Sequence, residues 1–560
     1  MLPNLVVVRS SAARALCLGS TAVSLAVLLL AANLAEIPSA AGLVSVFREL
    51  FMVGDYQGAI CALLIIVVAA LAATYTLPVR PLLNWIGTNP RSVAVAAFFV
   101  LLAGSWFIYQ NVRLSMDEYS QFFQSQIFAA GRLSGSFPAP LVDWLIPTGF
   151  QGAFLNVSHA TGSVAAVYWP SFALLMAPFT RLGISWACNP FICAVTLLTL
   201  HRLAMRIFDD VESAGLVVLL TVASPVFFGN GISYYAMNAH LLASCAFTLL
   251  LIDATPRRTF CAGLIGSIAL TLHNPIPHMV FAIPWIISIA RRAEAQKVLL
   301  ALFAGYMPLC VVVGCGWFFF SSQLAHEGAT LTPGNAGIGG ALFQVLGFAA
   351  PPTATILLAR VIGLAKIWVW SVPGLVLLAC YGGWIRRHDR NFALLAASGL
   401  LTFGFYFIIP WDQGHGWGYR YFHSAWLVLP LLATAAVAPR STEEPTKTSP
   451  MGGLQCFVVV CALLTLFAGI GLRASQMRNF ITSHENQVPR YAGAERRVEI
   501  LDLKGSFYGA DLIQNDPWLR ANEIRMITHG AAADAQMMHD NFPDMHPVYH
   551  DRYGSIWSAK

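Results

Sequence analysis

Apolar runs of roughly 17 to 25 residues recur along almost the whole chain, and that is the length a helix needs to cross the hydrocarbon of a bilayer. Runs such as Ala15–Leu34 and Val93–Ile108 contain no charged residue. Charged residues make up 11% of the 560, less than half of the roughly 25% usual for soluble domains. Segments of this kind specify a bundle of spans rather than one soluble core, so the expected fold is an all-α polytopic membrane protein. About thirteen spans are expected, near residues 15–35, 57–77, 92–111, 186–205, 213–229, 236–253, 259–272, 278–290, 298–319, 364–384, 392–410, 422–438 and 453–472. Those near 213–229, 259–272 and 278–290 are short and suit tilted pairs or broken helices.

Lys and Arg set the orientation of such a bundle. With a cytoplasmic N-terminus, the inner loops hold Arg9 and Arg14, Arg80 and Arg91, Arg202 and Arg206, Arg257 and Arg258. They continue with Arg291, Arg292 and Lys297, then Arg386, Arg387 and Arg390, then Arg440 and Lys447. The short opposite loops are nearly free of both residues. Arg9 and Arg14 ahead of Ala15–Leu34 also suit a signal peptide, but the run exceeds a usual signal core and is expected to be an uncleaved first helix. The chain is therefore expected to be a multi-pass protein of a bacterial inner membrane, with residues 473–560 outside the cytoplasm.

The net charge of +6 gives no reason to invoke nucleic acid. The eleven cysteines lie in or beside apolar segments and show neither a disulfide framework nor zinc spacing. Residues 441–452 read as a flexible cytoplasmic loop. In the tail, Arg497–Leu503 alternates like a strand, Asp511–Leu519 suits a short helix, and Glu523–Thr528 a second strand. This predicts a small α/β appendage docked on the bundle. Between Val112 and Ser185 the composition predicts amphipathic helices lying in the membrane interface.

The residues most suggestive of chemistry fall on the outer side. Asp117-Glu118 follows the apolar run that ends at Ile108. Carboxylates held at a membrane surface are costly to desolvate and mark candidate functional sites, although the pair also suits a solvated loop that ends a span. Tyr234, Tyr235, Asn238 and His240 cluster at one span start. His273, Asn274 and His278 flank two prolines. The loop Trp411-Asp412-Gln413-Gly414-His415-Gly416-Trp417-Gly418-Tyr419-Arg420-Tyr421 is rich in glycine and aromatics and carries one arginine. Each of these also has a purely structural reading, as interfacial aromatics, a tight turn or a helix-end histidine. The spacing of His273 and His278 is not that of a helical zinc pair. The His539 and His546 region has no evident ligand geometry. No cofactor is therefore assigned, with a divalent metal left open.

Met116-Asp117-Glu118-Tyr119, followed by Phe122-Phe123-Gln124 and Phe128-Ala129-Ala130-Gly131-Arg132-Leu133, resembles the GT-C integral-membrane glycosyltransferases. The branch is that of the protein O-mannosyltransferases and the aminoarabinose transferase of lipid A. Tyr168-Trp169-Pro170-Ser171-Phe172 with Leu174–Phe179 is similar to the family's next juxtamembrane element. Ser224-Pro225-Val226-Phe227-Phe228 and Tyr234–His240 are similar to the spans that follow. The resemblance covers roughly residues 92–430. Two spans precede the family's usual first one, and the lysine-prolyl pair of the aminoarabinose branch is absent.

The resemblance implies a GT-C-like catalytic domain over residues 92–472, preceded by two extra helices in 1–91 and followed by the appendage in 473–560. It implies a polyprenyl-phosphate sugar as donor and an acceptor that is a glycan, lipid or protein. Inverting transfer needs one general base on the acceptor hydroxyl and a cation on the departing phosphate. Asp117 is the expected base, with Glu118 orienting it or the acceptor. Arg420 is the first choice for the phosphate, because a guanidinium grips two of its oxygens. Arg360, Lys366 and His278 are the weaker choices. Tyr119, Trp169, Tyr235, His240, His273, His415 and Trp417 are expected to line the substrate. The rival reading is a transporter or flippase of a lipid-linked or small anionic solute; a membrane scaffold is a third.

Overall fold

The computed structural model describes residues 11–36, 45–74, 77–292, 294–326, 353–409, 412–438, 451–491, 496–506 and 508–559. Arg9, Arg440, Lys447 and most of the 441–452 loop lie outside them. Among the described residues, seven helices are long and apolar enough to cross a membrane. They are Ser11–Leu34, Val46–Ala72, Pro90–Phe107, Ser185–Phe208, Ala295–Leu324, Arg390–Ile408 and Gly453–Glu485. The chain is a multi-pass membrane protein by the length and composition of these helices.

The other six expected spans are shorter or broken, so thirteen full-length spans are not what forms. Val211–Val222 and Pro225–Gly231 meet at a 62° bend. Pro225 has no N–H to continue the first helix and opens the second at its first turn, while Ser224 is extended. Met237–Leu251, Ile276–Ala290 and Val428–Val437 are apolar but short, and Pro256–Leu270 spans 15 residues. The single span expected at 364–384 is instead two helices, Ala354–Val369 and Leu375–Ile385. Pro373 disfavours helix in the residue before it, and Gly374 at φ 88° supplies the left-handed turn.

Two small sheets lie beside the bundle. Strands β1 (Gly135–Ser136), β2 (Leu155–Val157) and β3 (Ser163–Ala166) form an antiparallel sheet in the order β1-β3-β2. In sequence it falls between the helices Met116–Ala129 and Ser171–Arg181, which pack on each other; the helices were expected in this region, the sheet was not. In the appendage, β4 (Arg497–Leu501), β5 (Glu523–Ile527), β6 (Met545–Asp551) and β7 (Gly554–Ala559) pair in the order β5-β4-β7-β6. The two expected strands thus pair in parallel, and the hairpin and the Ala531–Asn541 helix complete the unit. The helix expected at Asp511–Leu519 is only the turn Gly509–Leu512; Asn515 bonds to the backbone of Arg525 and a second turn follows at Pro517-Trp518.

Charge inside the bundle is scarce in sequence but concentrated in space. A π-helical stretch, Leu50–Asp55, turns Asp55 into the interior. Its carboxylate lies 2.6 Å from Lys366 Nζ and 3.0 Å from Arg473 Nη1, with all three side chains at most 2% exposed. Trp370 Nε1 donates to the same carboxylate at 2.6 Å. The cluster ties the second long helix to Ala354–Val369 and Gly453–Glu485.

Candidate active site

The site is built on the first turn of the Met116–Ala129 helix. Asp117 and Glu118 were expected in a loop, but both are helical, and consecutive helical residues point about 100° apart. That angle separates their roles. Asp117 faces a partly open space, with its side chain 20% exposed, whereas Glu118 faces the protein interior and is fully buried.

Asp117 Oδ2 accepts from Arg420 Nη2 at 2.9 Å, and Oδ1 accepts from the Tyr168 hydroxyl. Burial alone raises the carboxyl's affinity for its proton. The Arg420 charge and the Tyr168 hydrogen bond outweigh burial and hold Asp117 below its ordinary range. It is therefore an ionised acceptor at neutral pH. Burial works against the Arg420 charge too, and Asp117 more than restores it.

Arg420 is positioned by the glycine-rich loop that precedes it. Gln413 Oε1 accepts from the Arg420 backbone N–H at 2.7 Å, and the Gln413 carbonyl accepts from the guanidinium. The guanidinium carbon stands 4.3 Å from the centroid of the Tyr235 ring. Gly416, at φ 145°, lies so close that a Cβ there would meet Arg420 Cδ and Nε at 2.4 Å. The glycine is thus needed for close approach as well as for the turn. Arg420 Nε is buried and has no hydrogen-bond partner among the described residues.

Glu118 is saturated by the protein. It accepts from Tyr109 Oη at 2.8 Å, Leu114 N at 2.9 Å and Tyr234 N at 2.8 Å. Burial pushes its carboxyl up to about 7 despite these three donors. Glu118 was expected to orient Asp117 or the acceptor; its described hydrogen bonds all run to the protein.

Several other expected residues gather around the pair. His273 packs on Tyr168 with ring centroids 4.0 Å apart and lies within 3.4 Å of Gln121 Nε2. Burial lowers its imidazole to about 4, so it is neutral. Tyr235 Oη lies 2.8 Å from His415 Nδ1 and 2.9 Å from Ser115 Oγ. Trp417 Nε1 donates to Tyr109 Oη at 3.2 Å, which joins the glycine-rich loop to Glu118. Trp169 is half-buried next to Tyr168, in a cluster with Trp317. His240 is buried beyond His273, its Nε2 without a hydrogen-bond partner among the described residues.

Four expected residues make contacts of their own away from the central carboxylate. Lys366 does not present a free ammonium for a phosphate: Asp55 neutralises it. His278 bonds to Tyr306 Oη at 2.7 Å and packs edge-on to Phe247 inside the bundle. Arg360 donates to the Ile409 carbonyl at 2.8 Å and sits behind Tyr421. Tyr119 turns away from Asp117 and bonds to the backbone of Asn515.

Tyr168 and Gln413 contact the central pair but were not singled out as site residues. Tyr168 lay beside Trp169 in the Tyr168-Trp169-Pro170 turn, and Gln413 in the glycine-rich loop, so their segments carried the only available signal. Among the described residues, no group of three or more His, Cys, Asp or Glu is arranged to hold a metal ion.

No family model and no curated protein matches the chain. Solved structures do resemble it. One is the crystal structure of ArnT from Cupriavidus metallidurans bound to undecaprenyl phosphate, with TM-score 0.49 and 11% identity, covering 83% of this chain and 97% of that one. Another is the same protein in the apo state, with TM-score 0.47 and 11% identity over the same shares. At that level of likeness neither donor nor acceptor passes from ArnT to this chain.

Proposed function

We propose that the chain is an inverting membrane glycosyltransferase that moves a sugar from a polyprenyl-phosphate donor to an acceptor hydroxyl. The observation that carries this reading is the contact between the buried Arg420 and Asp117, whose side chain is still 20% exposed. It offers a base and an anion-binding guanidinium at adjacent positions, and the reaction needs both.

In the step proposed, the acceptor oxygen attacks the anomeric carbon while the bond from that carbon to the phosphate oxygen breaks. The electron pair leaves with the phosphate, and the acceptor proton passes to Asp117. Arg420 turns toward the phosphate and gains strength as charge develops there. Losing its guanidinium partner raises the proton affinity of Asp117 at the moment the proton arrives. Tyr168 keeps the carboxylate oriented, and the neutral His273 and the aromatic rings of Tyr235 and Trp417 border the sugar space.

The expected bounds were 92–472 and 473–560, but Arg473 packs among the spans; on this reading the catalytic domain runs on through the helix that ends at Glu485, the outer domain follows it, and residues 1–91 add two spanning helices. The alternation of basic loops supports a site outside the cytoplasm of a bacterial inner membrane.

A transporter of a lipid-linked or anionic solute is the second reading. The Asp55–Lys366–Arg473 cluster favours it, because ionisable groups among spans often mark a solute path. The 62° bend at Ser224 does so too. Against it, each charge in the cluster already has protein partners.

The deciding experiment incubates purified protein with radiolabelled polyprenyl-phosphate sugars and a membrane extract as acceptor source. Label leaving the lipid with wild type, and not with Asp117→Asn, is expected. Label that stays on the lipid but crosses the bilayer of reconstituted vesicles would replace transfer with transport.

A further inference from the structure

The Met116–Ala129 helix lacks the cap its sequence offers. Ser115 is extended, at φ −138° and ψ 164°, as a capping residue should be. Its hydroxyl nevertheless makes no capping bond and pairs with Tyr235 Oη at 2.9 Å. The first N–H of the helix, that of Met116, which a Ser115 cap would not reach, donates to Asp511 Oδ1 at 2.6 Å, from 395 residues away in sequence.

Asp511 belongs to a segment of the appendage that is fastened along this helix. Gln514 Nε2 donates to the Arg113 carbonyl at 2.6 Å. Asn515 N donates to Tyr119 Oη at 2.9 Å, and Tyr119 Oη donates to the Asn515 carbonyl at 2.5 Å. Ser136 N donates to the Pro517 carbonyl at 2.9 Å. These contacts would suffice for docking. Asp511, 6% exposed, adds a carboxyl bonded to the residue before Asp117, where a neutral side chain would cost less to bury. The groups that face it are Asp117 and Glu118 from the helix and Tyr508 from its own segment. Burial and the two neighbouring carboxyls push it up to about 8, opposed by the Met116 N–H.

We propose that Asp511 is a positioning residue for Asp117: it holds the first N–H of the helix, next to Asp117, and fixes where the Asp117 carboxylate meets Arg420. The outer domain is then part of the active-site framework and not an accessory. This inference rests on Asp117 being the base, but its structural half does not.

The test uses full-length protein in lipid nanodiscs, with Asp511→Ala and Asp511→Asn. Asp511→Ala removes the acceptor for Met116 N–H. Its kcat should fall roughly 10-fold or more, with donor KM within about 3-fold, because a small misplacement of a reacting group is costly in rate. Asp511→Asn keeps an oxygen for that N–H and should recover most of the loss. In parallel, hydrogen exchange of the amides at Met116–Tyr119 should quicken in Asp511→Ala and stay near wild type in Asp511→Asn. Unchanged kcat and unchanged exchange in Asp511→Ala would overturn the proposal. So would equal loss in both variants with exchange quickened across the whole outer domain. If Asp511→Ala does not fold, an Asp511→Asn protein that has lost most of its kcat overturns it, and one close to wild type supports it. If wild type itself transfers no label, the glycosyltransferase reading fails, and the exchange result still decides whether Asp511 holds the start of the helix.

Discussion

Asp117 and Arg420 stand 2.9 Å apart, from two segments separated by 303 residues, and each holds the other in its charged form. The ion pair is 20% exposed on the carboxylate side and 5% on the guanidinium side. On the proposed reading, a donor phosphate would compete for Arg420 and an acceptor hydroxyl for Asp117, so the pair holds with its own charges the two positions that donor and acceptor would take.

Asp117→Asn keeps the shape and removes the proton acceptor. Transfer is expected to fall by roughly 100-fold or more, the usual contribution of a positioned base. Donor binding, measured separately by equilibrium titration with a non-transferable donor, should be largely retained. A folded Asp117→Asn protein with near-wild-type transfer would remove Asp117 from the base role.

Arg420→Lys keeps the charge and loses the two-pronged grip, so it should impair transfer partially, while Arg420→Ala should impair it more and weaken donor binding. A pH effect separates this from a mere lipid anchor. Arg420 is what holds the Asp117 carboxyl low. A lowered carboxyl keeps its charge until the pH falls through its depressed value, so wild-type activity should persist into acid. Without Arg420 the acid limb of the residual rate should move to higher pH. An Arg420→Ala protein with normal donor binding and an unmoved acid limb would make Arg420 an anchor.

The parts of this arrangement that could be read from sequence are those that depend on local composition. Seven of the apolar runs form span-length helices, and the carboxylate pair after the third of them meets the arginine of the glycine-rich loop. What was not legible depends on side-chain direction and on distant pairing. Adjacent letters hide that Asp117 and Glu118 point about 100° apart once they are helical. Asp55, Lys366 and Arg473 are three isolated charges in sequence and one cluster in space, so Lys366 looked available. The break at Pro373-Gly374 was written in the chain, but the apolar residues on both sides outweighed it. Nothing local to Asp511 announced that it meets Met116.

Glu118 gives a prediction about stability. Its carboxyl is raised to about 7 in the folded protein from about 4.5 when exposed. Between those values the folded state binds more protons than the unfolded one, so this group's contribution falls as the pH rises through the window. Glu118→Gln removes the titration. The melting temperature of wild type relative to Glu118→Gln, in the same detergent, should decline from pH 5 to pH 8. A difference that is flat across the window would show that Glu118 does not titrate there.

The orientation also has a direct test. With a cytoplasmic N-terminus, a cysteine at Ser506 should react with an impermeant reagent in intact cells, and one at Thr446 only after lysis. The reverse pattern would put the Asp117 side in the cytoplasm.

Lys366 was a candidate for the phosphate, and its contact with Asp55 makes a different expectation. Asp55 accepts from Lys366 Nζ at 2.6 Å and from Trp370 Nε1 at 2.6 Å, and lies 3.0 Å from Arg473 Nη1. Replacing Lys366 by Met leaves Asp55 facing Arg473 with one donor fewer, and breaking a buried pair in this way typically costs about 3 to 5 kcal/mol. Arg473 remains, so the loss should lie at the lower end of that range. The measured effect should be a lower melting temperature and poorer expression. In the protein that does fold, donor affinity should match wild type, since Lys366 does not reach the Asp117 site with a free charge. Asp55→Asn should be similarly destabilising, because it leaves two cations buried together. Weak donor binding in a Lys366→Met protein whose melting temperature is unchanged would return Lys366 to the phosphate and make its pairing with Asp55 a resting state that the donor displaces.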